Sequence, residues 1–141
     1  MTKLHFESPD GSTQISSPTA QQMADIILHS DAGYWQRGGN GQAVISIGSM
    51  PVMSFTCPVE DAFFIETYLD DRCVIYDRSG RQEHVVSELG GDPFRIPLAC
   101  LVTPHVAAQV ASQFVQTQQL PTCVHWVPMG DVPFDVGWYD E

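Results

Sequence analysis

Four strand-like runs crowd into residues 43–77, with no room between them for a crossover. They occupy residues 43–48, 52–57, 62–69 and 72–77, and all are rich in Val, Ile, Phe and Tyr. The breaks at 49–51, 58–61 and 70–71 are short and carry Ser, Pro, Glu and Asp. A parallel connection needs a dozen residues or more, so these runs can pair only as antiparallel hairpins. The expectation is a four-stranded meander. In the third run Phe63, Ile65, Thr67 and Leu69 share one face, and Ala62, Phe64, Glu66 and Tyr68 share the other. The first face is the core candidate. The second mixes aromatic and acidic groups, the composition of a surface that is partly exposed or meets a partner.

A sheet of this kind needs a cover, and two segments supply helical patterns. In residues 101–126, Thr103 is an N-cap and Pro104 takes the first helical position, where its missing N–H costs nothing. Val106, Val110 and Phe114, flanked by Ala107, Ala111 and Val115, make one apolar stripe, with Gln109, Ser112, Gln113 and Gln116 on the wet side. Pro121 ends the unit, and residues 123–126 alternate like a short strand. Upstream, Ser17-Pro18 followed by Ala20, Met23, Ala24 and Ile27 predicts a helix over residues 18–30.

The rest is punctuation and short extended pieces. Residues 3–6 alternate weakly and read as an edge strand, and Pro9-Asp10-Gly11-Ser12 is a turn. Residues 34–41 form an aromatic, glycine-rich loop. Residues 82–89 read as a strand or a frayed segment, Gly90-Gly91-Asp92-Pro93 breaks the chain, and residues 94–98 are extended. The architecture expected is a single α+β domain over residues 1–127, an antiparallel meander sheet packed against two helices. Residues 128–141, with two prolines and four acids, read as an irregular acidic tail.

Charge narrows the function classes. Seventeen Asp and Glu against six Lys and Arg give −11, a field that repels nucleic-acid phosphates and anionic membranes and attracts basic proteins. Residues 60–92 alone carry a net −6, and concentrated charge steers a basic partner. No apolar run approaches the ~20 residues that span a bilayer, and the first residues lack the apolar core of a secretory signal. The four cysteines, at 57, 73, 100 and 123, form no Cys-x-x-Cys pair; a reducing cytoplasm with thiols acting as small core hydrophobes is the simplest expectation.

Catalytic patterns are weak. The five histidines are scattered, with no i, i+4 pair to seed a zinc site. Cys123 and His125 would share a strand face, but no oxyanion device accompanies them. The glycines of residues 38–41 lack a preceding strand and a phosphate-binding register. Glu60-Asp61 and Asp70-Asp71 sit in hairpin turns, where acids serve turn chemistry or an acidic docking surface better than a metal. No metal or cofactor is expected.

The helix–strand close carries a likeness. Ala108, Ala111, Phe114, Thr117, Pro121, Val124 and Trp126 follow an A-x-x-A-x-x-F-x-x-T-x-x-x-P-x-x-h-x-W pattern, where h is apolar, behind a strand pair holding Gly48 and Pro51-Val52-Met53-Ser54-Phe55. Over residues 15–127 the chain resembles the first-described family of small immunity proteins of bacterial polymorphic toxin systems, many of which neutralise deaminase toxins. The resemblance implies inhibition by binding, without catalysis, through blockade of a toxin's active site or substrate channel. It implies a basic, nucleic-acid-acting toxin domain as partner, with no direct contact to nucleic acid or membrane. The expected contacts are Tyr34 and Trp35 in the glycine loop, then Glu66, Tyr68, Asp70, Asp71 and Asp77. A second arm would be the tail, with Phe134, Trp138, Tyr139, Asp140 and Glu141. The alternatives are the same role against a nuclease or another toxin class, and a small Cys/His enzyme.

Overall fold

The computed structural model describes residues 3–36, 42–69, 71–77, 83–87 and 94–132. The chain opens with β1 (Leu4–Glu7), turns, and returns as β2 (Gln14–Ser16). Asp10 builds the turn: one of its carboxylate oxygens accepts from the Ser8 and Ser12 hydroxyls and from the Ser12 backbone N–H, at 3.0, 2.7 and 2.9 Å. Residues 3–6 were expected at an edge, but β1 lies inside the sheet, between β2 and a later strand, because this turn brings β2 back to cover it.

The first helix, α1 (Ala20–His29), starts two residues later than Ser17-Pro18 implies. Thr19 is the cap. Its side chain accepts from the Gln22 N–H at 3.0 Å, and the Gln22 side chain accepts from the Thr19 N–H at 2.8 Å. Met23 and Ile27 face inward from it. The expected loop at 34–41 begins instead as a single helical turn, α2 (Ala32–Gln36), capped by the Asp31 carboxylate, which accepts from the Tyr34 N–H at 2.9 Å. Residues 37–41 lie outside the described residues.

The meander follows as expected: β3 (Gln42–Ile47), β4 (Met50–Val59), β5 (Ala62–Thr67) and β6 (Cys73–Ile75), each antiparallel to the next. Gly48 opens the two-residue β3–β4 turn at φ 62°, a conformation glycine takes without strain. Pro58 cannot donate to a ladder. The register slips there, so that Cys57 and Pro58 stand against Phe63 alone. The β4–β5 turn is Glu60-Asp61, with Asp61 at φ 64°.

Beyond the meander, β7 (His84–Ser87) and β8 (Phe94–Pro97) make a separate hairpin that packs on β4. A 3₁₀ turn (Leu98–Cys100) leads to β9 (Leu101–Val102), which pairs with Phe63 and Phe64 of β5. Then comes α3 (Pro104–Thr117), capped by Thr103 as its sequence predicts. The segment expected as a strand at 123–126 is bent, and the strand, β10 (Trp126–Pro128), begins where that one was to end. It pairs with Cys73–Ile75, so its position is set by β6 rather than by local alternation. β10 also crosses the expected start of the tail, and Val132 beyond it is buried.

The main sheet runs β10-β6-β5-β4-β3-β1-β2, with β9 on the free part of the β5 edge. The helices α1 and α3 pack against each other on one face, tied where the Ser112 hydroxyl donates to the Ala20 carbonyl at 3.3 Å. Between helices and sheet lies the principal core, including Phe6, Ile45, Phe55, Phe63, Ile65, Val110 and Phe114. The second face of β5 is not open. Phe64 joins Val74, Ile96, Cys100, Val127 and Val132 in a smaller core on that side. The fold is thus α+β, as expected, but the sheet is covered on both faces along β5.

Candidate protein-docking site

The hairpin end between β5 and β6 concentrates the polar chemistry. Glu66 projects from the second face of β5, and its side chain is only 3% exposed, so it is no open surface acid. It is a buried carboxylate held by Arg72, just before β6. The guanidinium Nε donates to Oε1 at 2.8 Å, and Nη2 lies 2.7 Å from Oε1 and 3.4 Å from Oε2. A buried carboxylate is tolerated only with such partners. The Tyr68 hydroxyl donates to Glu66 Oε2 at 3.4 Å and lies 3.4 Å from the Ser54 hydroxyl. Arg72 also sits over the Tyr68 ring, 5.9 Å from its centre. Burial pushes the Tyr68 hydroxyl above its ordinary pKa, against the pull of the Ser54 bond, with the Glu66 charge adding. Burial alone would lower the Arg72 guanidinium, but the hydrogen bond and charge of Glu66 outweigh it and raise the pKa.

On the helix side of the same end lies a groove of about 470 Å³, between Thr67, Leu69, Asp71 and Cys73 and the turn after α3, Gln118–Leu120. That turn is fixed by short bonds. Gln118 adopts the left-handed conformation at φ 55°, and its N–H donates to the Phe114 carbonyl at 2.7 Å. The Gln113 amide spans to Thr122, donating to its hydroxyl and accepting from its N–H, both at 3.1 Å. The Trp126 indole N–H donates to the Pro121 carbonyl at 2.8 Å. Leu120 remains exposed at the groove. A rigid apolar residue beside acids on a pre-ordered loop loses little entropy on binding.

The expected contact residues divide. Tyr68 and Asp71 come together at this hairpin end with the Glu66–Arg72 pair. Tyr34 and Trp35 belong to the other end of β5, and they are not a solvent-facing pair. Trp35 is 2% exposed and meets Phe63 edge-on at 5.0 Å, while Tyr34 is half-buried against it at 5.3 Å. A one-turn helix that aims its second aromatic inward cannot also present it to a partner. Asp77 is exposed, at the end of β6, with its backbone N–H bonded to the Ala99 carbonyl. Asp70, Trp138, Tyr139, Asp140 and Glu141 lie outside the described residues. Sequence reading passed over Leu120 and Gln118–Gln119. A lone leucine in a polar run before Pro121 was their signal.

Among the described residues no group of three or more His, Cys, Asp or Glu is placed to share a metal ion, and no helix is long and apolar enough to cross a membrane. Burial drives the Cys100 thiol up to about 12, with the Asp77 charge adding, and raises Cys57 as well, leaving both poor nucleophiles. These two match the expected core thiols. Cys123 does not: it is exposed, on bent backbone near an exposed His125.

Residues 73–128, from β6 to β10, match the family described as immunity protein Imm1. That similarity supports an immunity protein, whose partner is a toxin. No curated protein matches the chain. The matched segment contains Ala108, Ala111 and Phe114, all buried, and the Pro121–Trp126 bond. The helix–strand pattern therefore records packing and loop closure, and the groove is built on it.

Proposed function

We propose that this protein binds and inhibits a cognate bacterial toxin in the cytoplasm, without catalysis, and that the toxin is a nucleic-acid deaminase. The observation that carries the reading is the Imm1 match over residues 73–128. The charge of −11 supports the toxin class. A deaminase acting on DNA or RNA needs a basic path to its zinc-activated water, and an acidic protein complements that path. Tyr68, Asp71 and Leu120 form the centre of the proposed contact, Asp70 and Asp77 are further proposed contacts, and Tyr34 is a separate one at the other end of β5. Trp138, Tyr139, Asp140 and Glu141 supply a second arm. Glu66 acts by holding Arg72 and Tyr68.

The test is co-expression with candidate toxin domains, followed by titration of the purified pair. Protection with 1:1 binding that weakens in salt supports the proposal. Protection from a nuclease and not from deaminases would replace the toxin class. Absence of binding, together with an activity that depends on Cys123 or His125, would overturn inhibition by binding.

A further inference from the structure

The groove at the β5–β6 end combines apolar walls with a single charge. Leu69 lines it from the β5–β6 hairpin, and Leu120, 41% exposed, from the turn after α3. Thr67 also lines it, but the Thr67 hydroxyl is already used. It donates to the Val52 carbonyl at 3.1 Å and accepts from the Leu69 N–H at 3.4 Å. At about 470 Å³ the groove falls within the ~300–1,000 Å³ of a site that encloses a whole ligand group. It has room for one long side chain.

Asp71 is the one charged residue of the lining. Among the described residues no hydrogen bond or ion pair takes up its carboxylate. Arg72, its neighbour in sequence, is committed to Glu66 on the other face of β5. The Gln119 N–H donates to the Thr117 hydroxyl at 3.1 Å, and the Gln119 side-chain amide has no partner among the described residues. An uncompensated carboxylate beside leucine walls complements a cation carried on an apolar stem. Lysine and arginine both meet that description, and the acceptors decide between them. A carboxylate and an amide oxygen on two separate segments suit the flat guanidinium, whose several N–H groups point in fixed directions. Its weaker hydration also makes it easier than an ammonium to lay against leucine.

We propose that this groove receives an arginine side chain of the protein partner, with its head at Asp71 and Gln119 and its stem between Leu69 and Leu120. The inference rests on the reading that a basic protein binds at this end of β5, and it adds the residue type that the partner presents there. Asp71 then acts twice, as part of the long-range field before contact and as an acceptor after it.

The probe is N-acetyl-arginine methylamide, added at constant ionic strength and followed through the backbone cross-peaks of Gln118, Gln119 and Leu120 and the Gln119 side-chain amide in ¹H–¹⁵N spectra. Saturable shifts are expected with arginine, weaker binding with the lysine analogue, and none with the citrulline analogue, which keeps the shape and drops the charge. Asp71→Asn should bind the probe roughly fivefold more weakly, as loss of one exposed ion pair implies. Glu60→Gln removes the same charge at the other end of β5 and should change binding less than twofold. No saturable shift, an equal response to citrulline or lysine, or an equal loss in Glu60→Gln overturns the proposal. With a toxin that the wild-type chain neutralises, unchanged affinity in Asp71→Asn/Leu120→Ala removes the groove from the interface and leaves the immunity reading intact. Arginine binding in a chain that neutralises no toxin ends the immunity reading and leaves the groove's chemistry standing.

Discussion

At the residue scale, the Glu66–Arg72 pair couples stability to the docking end. Glu66 is buried while the Arg72 side chain is 56% exposed, so the pair falls between two regimes. Exposed pairs contribute ~0–1 kcal/mol, breaking a buried one costs ~3–5, and Arg72→Ala should therefore destabilise by roughly 2 kcal/mol. Glu66→Gln in the same background should recover part of that loss, since it removes the stranded charge. Urea titrations of the two variants decide the matter, and an Arg72→Ala chain as stable as wild type would mean that water reaches Glu66. Cys100 gives a pH signature. Its thiol is raised from 9.0 to about 12. The folded state therefore holds the proton after the unfolded chain has lost it. The stability is full below pH 9 and falls as pH rises toward 12, by up to ~1.4 kcal/mol per pH unit from this group. Cys100→Ala should flatten the alkaline slope of ΔG relative to wild type, whatever it does to stability at pH 7. Equal slopes would place Cys100 in contact with solvent.

At the scale of elements, α3 supplies Ala107, Ala108, Val110, Ala111 and Phe114 to the principal core. Phe114 is fully buried in the principal core, so Phe114→Ala should cost roughly 3–5 kcal/mol with the binding surface intact in the folded fraction. Trp126→Phe keeps an aromatic ring, though a smaller one, and removes the bond to the Pro121 carbonyl. It should cost about 1 kcal/mol and speed amide exchange in residues 118–122 while leaving α3 protected. A uniform rise in exchange would assign the effect to the whole domain instead. The elements legible in the sequence are those written locally: the meander in its short turns, α3 in Thr103-Pro104 and its apolar stripe. What was not legible depends on distant partners. Glu66 looked like a surface acid because nothing near it says that residues 94–102 and 126–132 will close over that face. β10 was placed too early because Cys123-Val124-His125 alternates, yet the strand starts only where β6 offers a partner. α2 looked like loop because one turn leaves too short a pattern to recognise. Of the candidate site, the acids were readable one by one. The groove was not, since it joins Asp71 to Leu120 across the fold.

At the scale of the whole molecule, charge and shape should separate in the kinetics of binding. The net −11 acts at long range, and over half of it lies in residues 60–92, which include both the β4–β5 and β5–β6 turns. Those turns stand at opposite ends of β5, so the field covers an edge of the domain and not one point. Such a field raises the encounter rate with a basic partner, and it is screened over a Debye length of ~10 Å at 0.1 M salt. The groove acts only after contact, through Leu120 and the pre-ordered turn beneath it. Raising ionic strength from about 0.05 to about 0.5 M should therefore slow association with the cognate toxin by roughly 10-fold or more and change dissociation little. Asp71→Asn with Asp77→Asn should lower the association rate and flatten its salt dependence. Leu120→Ala should instead speed dissociation, since short-range contacts set the lifetime of a complex. Stopped-flow mixing at several salt concentrations reads both rates. If salt acts on dissociation alone, the acids are short-range contacts rather than steering charges, and the partner surface they face must be a local basic patch.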